Sequence, residues 1–323
     1  MTNATAFLPS LTDAAIGSPI TRGGVSLFPV YLPGSPVPAS PVITGPGAGV
    51  EISEQPNATV PTLRATNPSN QPVLLVEGQV VRGGQQDRVL NVSIVVPAGQ
   101  SIDIPVSCVE QGRWSHGSHF DDGRSFATRR VRRAKTHSVS QSVRQRGDRS
   151  SNQGAVWETV GHEMDRLGVE HPSRSLLAID DVARGQAERP AQHEPQRESH
   201  FDVIMRAIDE LTDCGPLPGQ CGVVVAHGGR PVSLECFATP ALLSAHWPAL
   251  VRSIMLDAPE GSVSRPSATR ALKFVRDAAS RRADATPGVG LGTELHIRSS
   301  RLVGQAVVVD DCVLHASAFA LAA

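Results

Sequence analysis

The sequence predicts an α+β protein, with a β-rich antiparallel N-terminal lobe (a sandwich or partial barrel) joined to an α+β C-terminal lobe. Three observations carry this. Short β-branched runs recur between residues 25 and 109 with Gly, Pro and Asn clusters between them, as consecutive antiparallel strands do. After Trp114 the chain becomes polar and basic. The C-terminal half then mixes three- and four-residue apolar spacing with strict alternation, without repeating βα units, so helices are inserted between hairpins.

Taken in order, residues 1–22 predict a flexible tail and Val25 to Leu32 a first strand, closed by Pro33-Gly34. Residues 35–49 are dense in Pro, Gly and Ser, which removes amide donors and favours a surface loop or edge. Strand signals follow at residues 50–53, 62–67, 73–81, 88–96 and 101–109. The last three are joined by connections too short for a parallel crossover and are expected in one antiparallel sheet. Residues 117–150 have little aliphatic content and predict a basic, poorly ordered loop. In AVWETVGHEMDRL, Val156, Val160, Met164 and Leu167 recur at helical spacing, with Ser151 or Asn152 as cap. Residues 184–200 read as a second solvated loop. Helices are expected over 201–211, 240–256 and 267–279, and strands over 223–226, 231–237, 291–297, 302–309 and 313–319. The lobes so drawn are 23–116 and 151–323.

Composition narrows the function. A formal charge of -1 gives no global footprint of a nucleic-acid or membrane-surface binder. No apolar run of about 18 residues exists to span a bilayer, and the N-terminus lacks the pattern of a secretory signal. The five cysteines are odd in number and contain no CxxC pair, which argues against a disulfide framework or zinc ribbon. A cytoplasmic protein is expected.

Chemistry concentrates in residues 72–114, where polar groups interrupt the strand runs. Arg88 offers a planar fork to phosphate or carboxylate. Gln86, Asn91, Glu110, Arg113 and Trp114 lie close to it in the predicted hairpins, and Gly83-Gly84 could bring backbone amides to an anion. Alternation sends Asn91 to the face opposite Arg88 unless a bulge intervenes. The competing reading is an internal Arg88–Glu110 ion pair. Cys108, beside this group, needs a base and a depressed pKa to act as a nucleophile; otherwise it is a small apolar filler. HGSHFDD, with His116, His119, Asp121 and Asp122, has metal-ligand residue types without diagnostic spacing, and no metal is assigned. The basic tract from Arg124 to Arg149 has the charge to grip phosphates but only Phe126 to stack on bases. GVGLGTEL precedes a predicted strand where a dinucleotide loop would precede a helix.

The block GGQQDRVLNVSIVVPAG, followed by IPVSCVEQGRW, resembles the ADP-ribosylglycohydrolase-and-rhodanese-phosphatase-associated protein family. VSLFPV, VPTLRATNPSNQPVLLVEGQ, NQGAVW, QCGVVV and VVVDDCVLHASAF extend the resemblance over about residues 20 to 320, which implies one family-wide domain. The chain carries Gln85-Gln86-Asp87-Arg88 where the family pattern has Lys-Gln-Asn-Arg. The resemblance implies an ADP-ribose or phosphoester context and no particular reaction or cofactor.

The expected function is therefore binding of an anionic small molecule, such as a nucleotide or ADP-ribose derivative, through Gln86, Arg88, Asn91, Arg113 and Trp114. The alternative is a hydrolase or transferase acting on such a ligand, with Glu110 as general acid or base and an arginine stabilising developing charge. A nucleic-acid-associated protein using the basic tract ranks third.

Overall fold

In the computed structural model the described residues are 4–6, 8, 11–56, 59–115, 119–121, 123–187, 200–259 and 264–321. The N-terminal strands are β1 (Ala4–Ala6), β2 (Ala15–Ile16), β3 (Ile20–Arg22), β4 (Val25–Tyr31), β5 (Ile43–Thr44), β6 (Glu51–Ser53) and β7 (Thr62–Thr66). The central block forms β8 (Val73–Leu75), β9 (Gln79–Val81), β10 (Arg88–Leu90), β11 (Ile94–Val96) and β12 (Ser101–Cys108), followed by β13 (Ser125–Phe126). Four helices follow: α1 (Arg129–Arg146), α2 (Gln153–Arg166), α3 (Leu177–Ala187) and α4 (His200–Cys214). The remainder is β14 (Gly222–His227), β15 (Arg230–Phe237), α5 (Pro240–Met255), α6 (Ala268–Ala279), β16 (Arg282–Pro287), β17 (Thr293–Arg298), β18 (Leu302–Val309) and β19 (Cys312–Ala320).

The fold is α+β, as expected. The largest sheet runs β1-β16-β17-β18-β19-β15-β14-β4-β2, with β3 also on β4; a second runs β13-β9-β10-β12-β7-β6 and a third β11-β8-β5. All pairings are antiparallel except β5 with β8. The second sheet curls until Ile52 of its last strand lines the same cavity as Val81 of β9.

Three expectations need correction, and the relation of the two lobes is now visible. The runs 73–81 and 88–96 are each broken: β9 and β10 pair with β12's sheet, while β8 and β11 form the third sheet. The break in the first run falls at Gly78, whose φ of 87° only glycine adopts cheaply, and the strands change sheets there. The N-terminal tail is anchored, with Leu8, Leu11 and Ala14 buried and β1 laddered onto β16. The two expected lobes also meet in one core. β4 pairs with β14, and one apolar cluster contains Leu74, Val89, Val223 and Leu314 together. Finally, the basic segment is largely the eighteen-residue helix α1, closed by Gly147 at φ 75°. Its low aliphatic content misled because the buried face is partly charged. Val131, Val139 and Val143 share that face with Arg132 and Lys135. Most of the second expected loop, at 188–199, lies outside the described residues.

Arg132 and Lys135 enter the core because acidic side chains meet them there. Glu77, fully buried, accepts from Arg132 Nη2 and Lys135 Nζ, both at 2.7 Å, and from Ser317 Oγ at 2.9 Å. Arg132 Nη1 lies 2.6 Å from Glu235, and its guanidinium sits over the rings of Phe126 and Phe319 at 5.4 and 5.1 Å. Lys135 also donates to the carbonyls of Leu90 and Asn91, so α1 is bolted to the sheet corner. Burial would push the Glu77 carboxyl up, but Arg132 and Lys135 outweigh it and hold it at about 2. Removing one partner of such a pair strands the other charge in low dielectric. Lys135→Met is therefore expected to lower unfolding free energy by about 3–5 kcal/mol in urea titration; an unchanged midpoint and slope would contradict this role.

Candidate functional site

The polar residues around Arg88 separate into a satisfied clamp and an unsatisfied group. The clamp centres on Glu110, just beyond β12. Its carboxylate accepts from Arg113 Nε at 2.9 Å, from Ser173 Oγ at 2.7 Å and from the Asp87 amide at 3.0 Å. Arg113 also reaches Asp87 at 3.3 Å and donates to the carbonyls of Gly83 and Gly84. Ser175 Oγ and the Gly83 amide donate to Asp87. The Gly-Gly turn thus turns its carbonyls to an arginine, and the Gly83 amide is occupied by Asp87. Gly84, at φ 51°, is pressed against Phe120 and Glu54 so closely that a Cβ would stand 2.3 Å from the ring.

Two carboxylates share this clamp with opposite results. For Asp87, burial and the neighbouring Glu110 raise the pKa. For Glu110, burial raises it, but the hydrogen bonds from Arg113, Ser173 and the Asp87 amide prevail and lower it. A carboxylate so held is a poor proton carrier near neutral pH.

Arg88 is the unsatisfied member. It pairs in register with Cys108 on one side and Val81 on the other, and its side chain is fully buried. Nε donates to the Val60 carbonyl at 3.2 Å, yet neither Nη1 nor Nη2 has a hydrogen-bond partner. Among the described residues no carboxylate lies within ion-pair distance of it; the Glu110 ion pair belongs to Arg113. Burial lowers the Arg88 pKa, while Cys108 and Glu54 act on it in the opposite sense. Other buried polar atoms without a partner belong to residues linked to it: Gln85 Oε1 and Gln86 Oε1 on the turn before Arg88, and Glu54 Oε2, whose carboxylate acts on the Arg88 charge. Glu54 is tied to this loop through the Gln85 amide, and Gln86 through its amide nitrogen to the Glu110 carbonyl. Trp157 adjoins the Cys108 thiol.

The remaining expected site residues stand elsewhere. Ser107, opposite Val89 in register and so on the face away from Arg88, donates to Asn91 Oδ1 at 2.6 Å, and Asn91 Nδ2 donates to the Arg149 carbonyl. Asn91 fastens the α1–α2 connection. Trp114 is 55% exposed, outside the buried group. Burial raises the Cys108 thiol, the reverse of nucleophile activation. The metal-type motif lies in part outside the described residues, and no group of metal-ligating side chains occurs among those that are described.

Sequence reasoning missed Glu54, Gln153, Trp157, Ser173 and Ser175, which reach the site from distant segments. Gln153 substitutes for a strand neighbour: its side chain accepts from the Cys108 amide at 2.9 Å and donates to the Cys108 carbonyl at 2.8 Å. The apolar pattern marked α2 but could not say that this helix docks by its first residue.

A family model described as the ARG and Rhodanese-Phosphatase-superfamily-associated Protein domain, ARPP-1, matches residues 13–319. Neither a curated protein nor a solved structure matches the chain.

Removing Arg113 leaves Asp87 and Glu110 facing each other without a cation, which raises the folded pKa of both above their unfolded values. Such groups destabilise at high pH and cease to do so as pH falls through the raised pKa. Arg113→Met is thus expected to lose melting temperature at pH 7 and recover part of the loss at pH 5, relative to wild type. A deficit independent of pH, measured by calorimetry, would contradict the clamp.

Proposed function

We propose that this chain, which belongs to the ARG and Rhodanese-Phosphatase-superfamily-associated Protein family, binds the anionic end of a small molecule at Arg88. One observation carries the reading: Arg88 is fully buried with both terminal nitrogens unpartnered and no carboxylate paired to it. A buried charge without hydrogen bonds is costly, and a carboxylate or phosphate oxygen supplies what the guanidinium lacks.

The observations on Glu110 favour anchoring over proton transfer, since its oxygens already engage Arg113, Ser173 and an amide. The nucleic-acid reading is weakened because Arg132 and Lys135 of the basic tract are spent in the core. The nucleotide or ADP-ribose class has the family's name as its support. Cytoplasmic residence fits five unpaired cysteines, and among the described residues no helix is long and apolar enough to cross a membrane.

Differential scanning fluorimetry against inorganic phosphate, acetate, AMP and ADP-ribose tests this. At about a hundredfold excess over Kd, a ligand that binds only the folded state adds roughly 2.7 kcal/mol. The melting temperature of wild type should rise with at least one of these anions and that of Arg88→Met with none. An equal rise in both proteins would remove Arg88 from the site, and no rise in wild type would remove the anion-binding reading.

A further inference from the structure

The face of the curled sheet that carries Arg88 is mostly apolar, with Gln79 beside Val81 on β9. Register places Leu90 beside it on β10, Val81 opposite on β9, Val106 and Ile104 along β12, and Leu63 on β7. All five are buried. Against this face lies a cavity of about 30 Å³, walled by Val50, Ile52, Leu75, Val81 and Leu90, with Gln79 as its polar neighbour. Gln79 is already engaged on both atoms, its Oε1 accepting from the Val76 amide and its Nε2 donating to the Gly123 carbonyl. The other side chains around the space are aliphatic, and an apolar hollow of this kind accepts apolar groups.

Two of its walls, Val81 and Leu90, are the immediate neighbours of Arg88 on that face. Its remaining border is rich in glycine. Gly45, Ala48 and Gly49 close the cavity, and Gly45, Gly47 and Gly49 all have φ between 76° and 89°. Around Gly47 and Gly49 an added Cβ would meet nothing within 4 Å. At Gly45 the stretch is anchored against Ala245 of α5, where an added Cβ would stand 3.0 Å from that side chain, and towards Gly47 and Gly49 it is a glycine-rich cover over the apolar hollow.

We infer that the ligand is an amphiphilic small anion: a single carboxylate or phosphate held by Arg88, carrying a short apolar body that enters the half-barrel beside Val81 and Leu90 and displaces the Gly45–Gly49 cover. The inference rests on the anion reading of Arg88 and adds the chemistry of the rest of the molecule. A nucleotide fits the hollow poorly, because ribose hydroxyls and base edges would be buried against aliphatic walls without partners.

Isothermal titration of the full chain with inorganic phosphate, butyl phosphate and AMP separates the possibilities. Wild type is expected to bind butyl phosphate at least tenfold more tightly than inorganic phosphate, from burial of the alkyl chain, and to show no such gain with AMP. In Ala48→Phe, whose ring would fill the hollow from the cover, butyl phosphate should fall to the affinity of inorganic phosphate while the latter changes less than twofold. Should that variant fail the circular-dichroism check for folding, Val50→Trp fills the same space, and the wild-type ranking decides in either case. Equal affinities for phosphate and butyl phosphate would overturn the apolar body and leave the anion site standing, and AMP binding more tightly than butyl phosphate would overturn it in favour of a polar-bodied ligand. Binding of none of the three would overturn the Arg88 reading and this inference with it.

Discussion

The carboxylate of Glu77, buried and held by Arg132, Lys135 and Ser317, is the contact on which the arrangement of the two larger sheets and α1 depends. It sits at the bend where the chain leaves the third sheet for the curled one, and the cations come from α1. From there the network continues through Arg132 to Glu235, from Glu235 to His315 at 3.1 Å, and from His315 to Ser93 at 2.8 Å. Two carboxylates and two cations balance within it, which is how charges survive in a low-dielectric interior. Such a network is a demanding specifier of geometry, because a sheet placed one register out would leave a charge uncompensated.

Hydrogen-bond counting assigns the protons in that chain. Ser93 Oγ accepts from the Glu77 amide and from Gln305 Nε2, so its own proton goes to His315 Nδ1. His315 then carries its proton on Nε2 and gives it to Glu235. The order serine, histidine, carboxylate is that of a hydrolase relay, but here Ser93 and His315 are fully buried and both lone pairs of the hydroxyl are used. The three residues act as a strut between the sheets. Arg88 is as deeply buried, with one hydrogen bond, from Nε to the Val60 carbonyl, and no ion pair among the described residues. The contrast between a cation the fold has neutralised and one it has left open is the basis for proposing an anion site at Arg88.

Much of the architecture is legible in the sequence because it rests on local period. Val156, Val160 and Met164 announce α2, and alternation announces β15, β18 and β19. Arg88 also stands out as a cation inside an apolar run, and alternation correctly separates it from Asn91. Period fails where burial is polar: α1 reads as a solvated loop because Arg132, Lys135, Thr136 and Ser140 fill its inner face. A signal for their partners was present, since Glu235 and His315 are charged or titratable residues within mostly apolar strands and Glu77 stands between two apolar runs. Pairing them with α1 requires tertiary knowledge that no local window holds. Ser173 and Ser175 carry no local mark at all, because their roles are created by where the segment before α3 crosses Glu110 and Asp87.

The account turns on the claim that these two buried guanidiniums differ in kind, and the unfolding free energies of Arg88→Met and Arg132→Met in buffer free of multivalent anions and carboxylates test it directly. Arg132→Met strands Glu77 and Glu235 and should lose about 3–5 kcal/mol. Arg88→Met removes a charge the fold does not compensate and should equal or exceed wild type in stability. A loss at Arg88 as large as that at Arg132 would show that the chain itself satisfies Arg88, and would contradict the account.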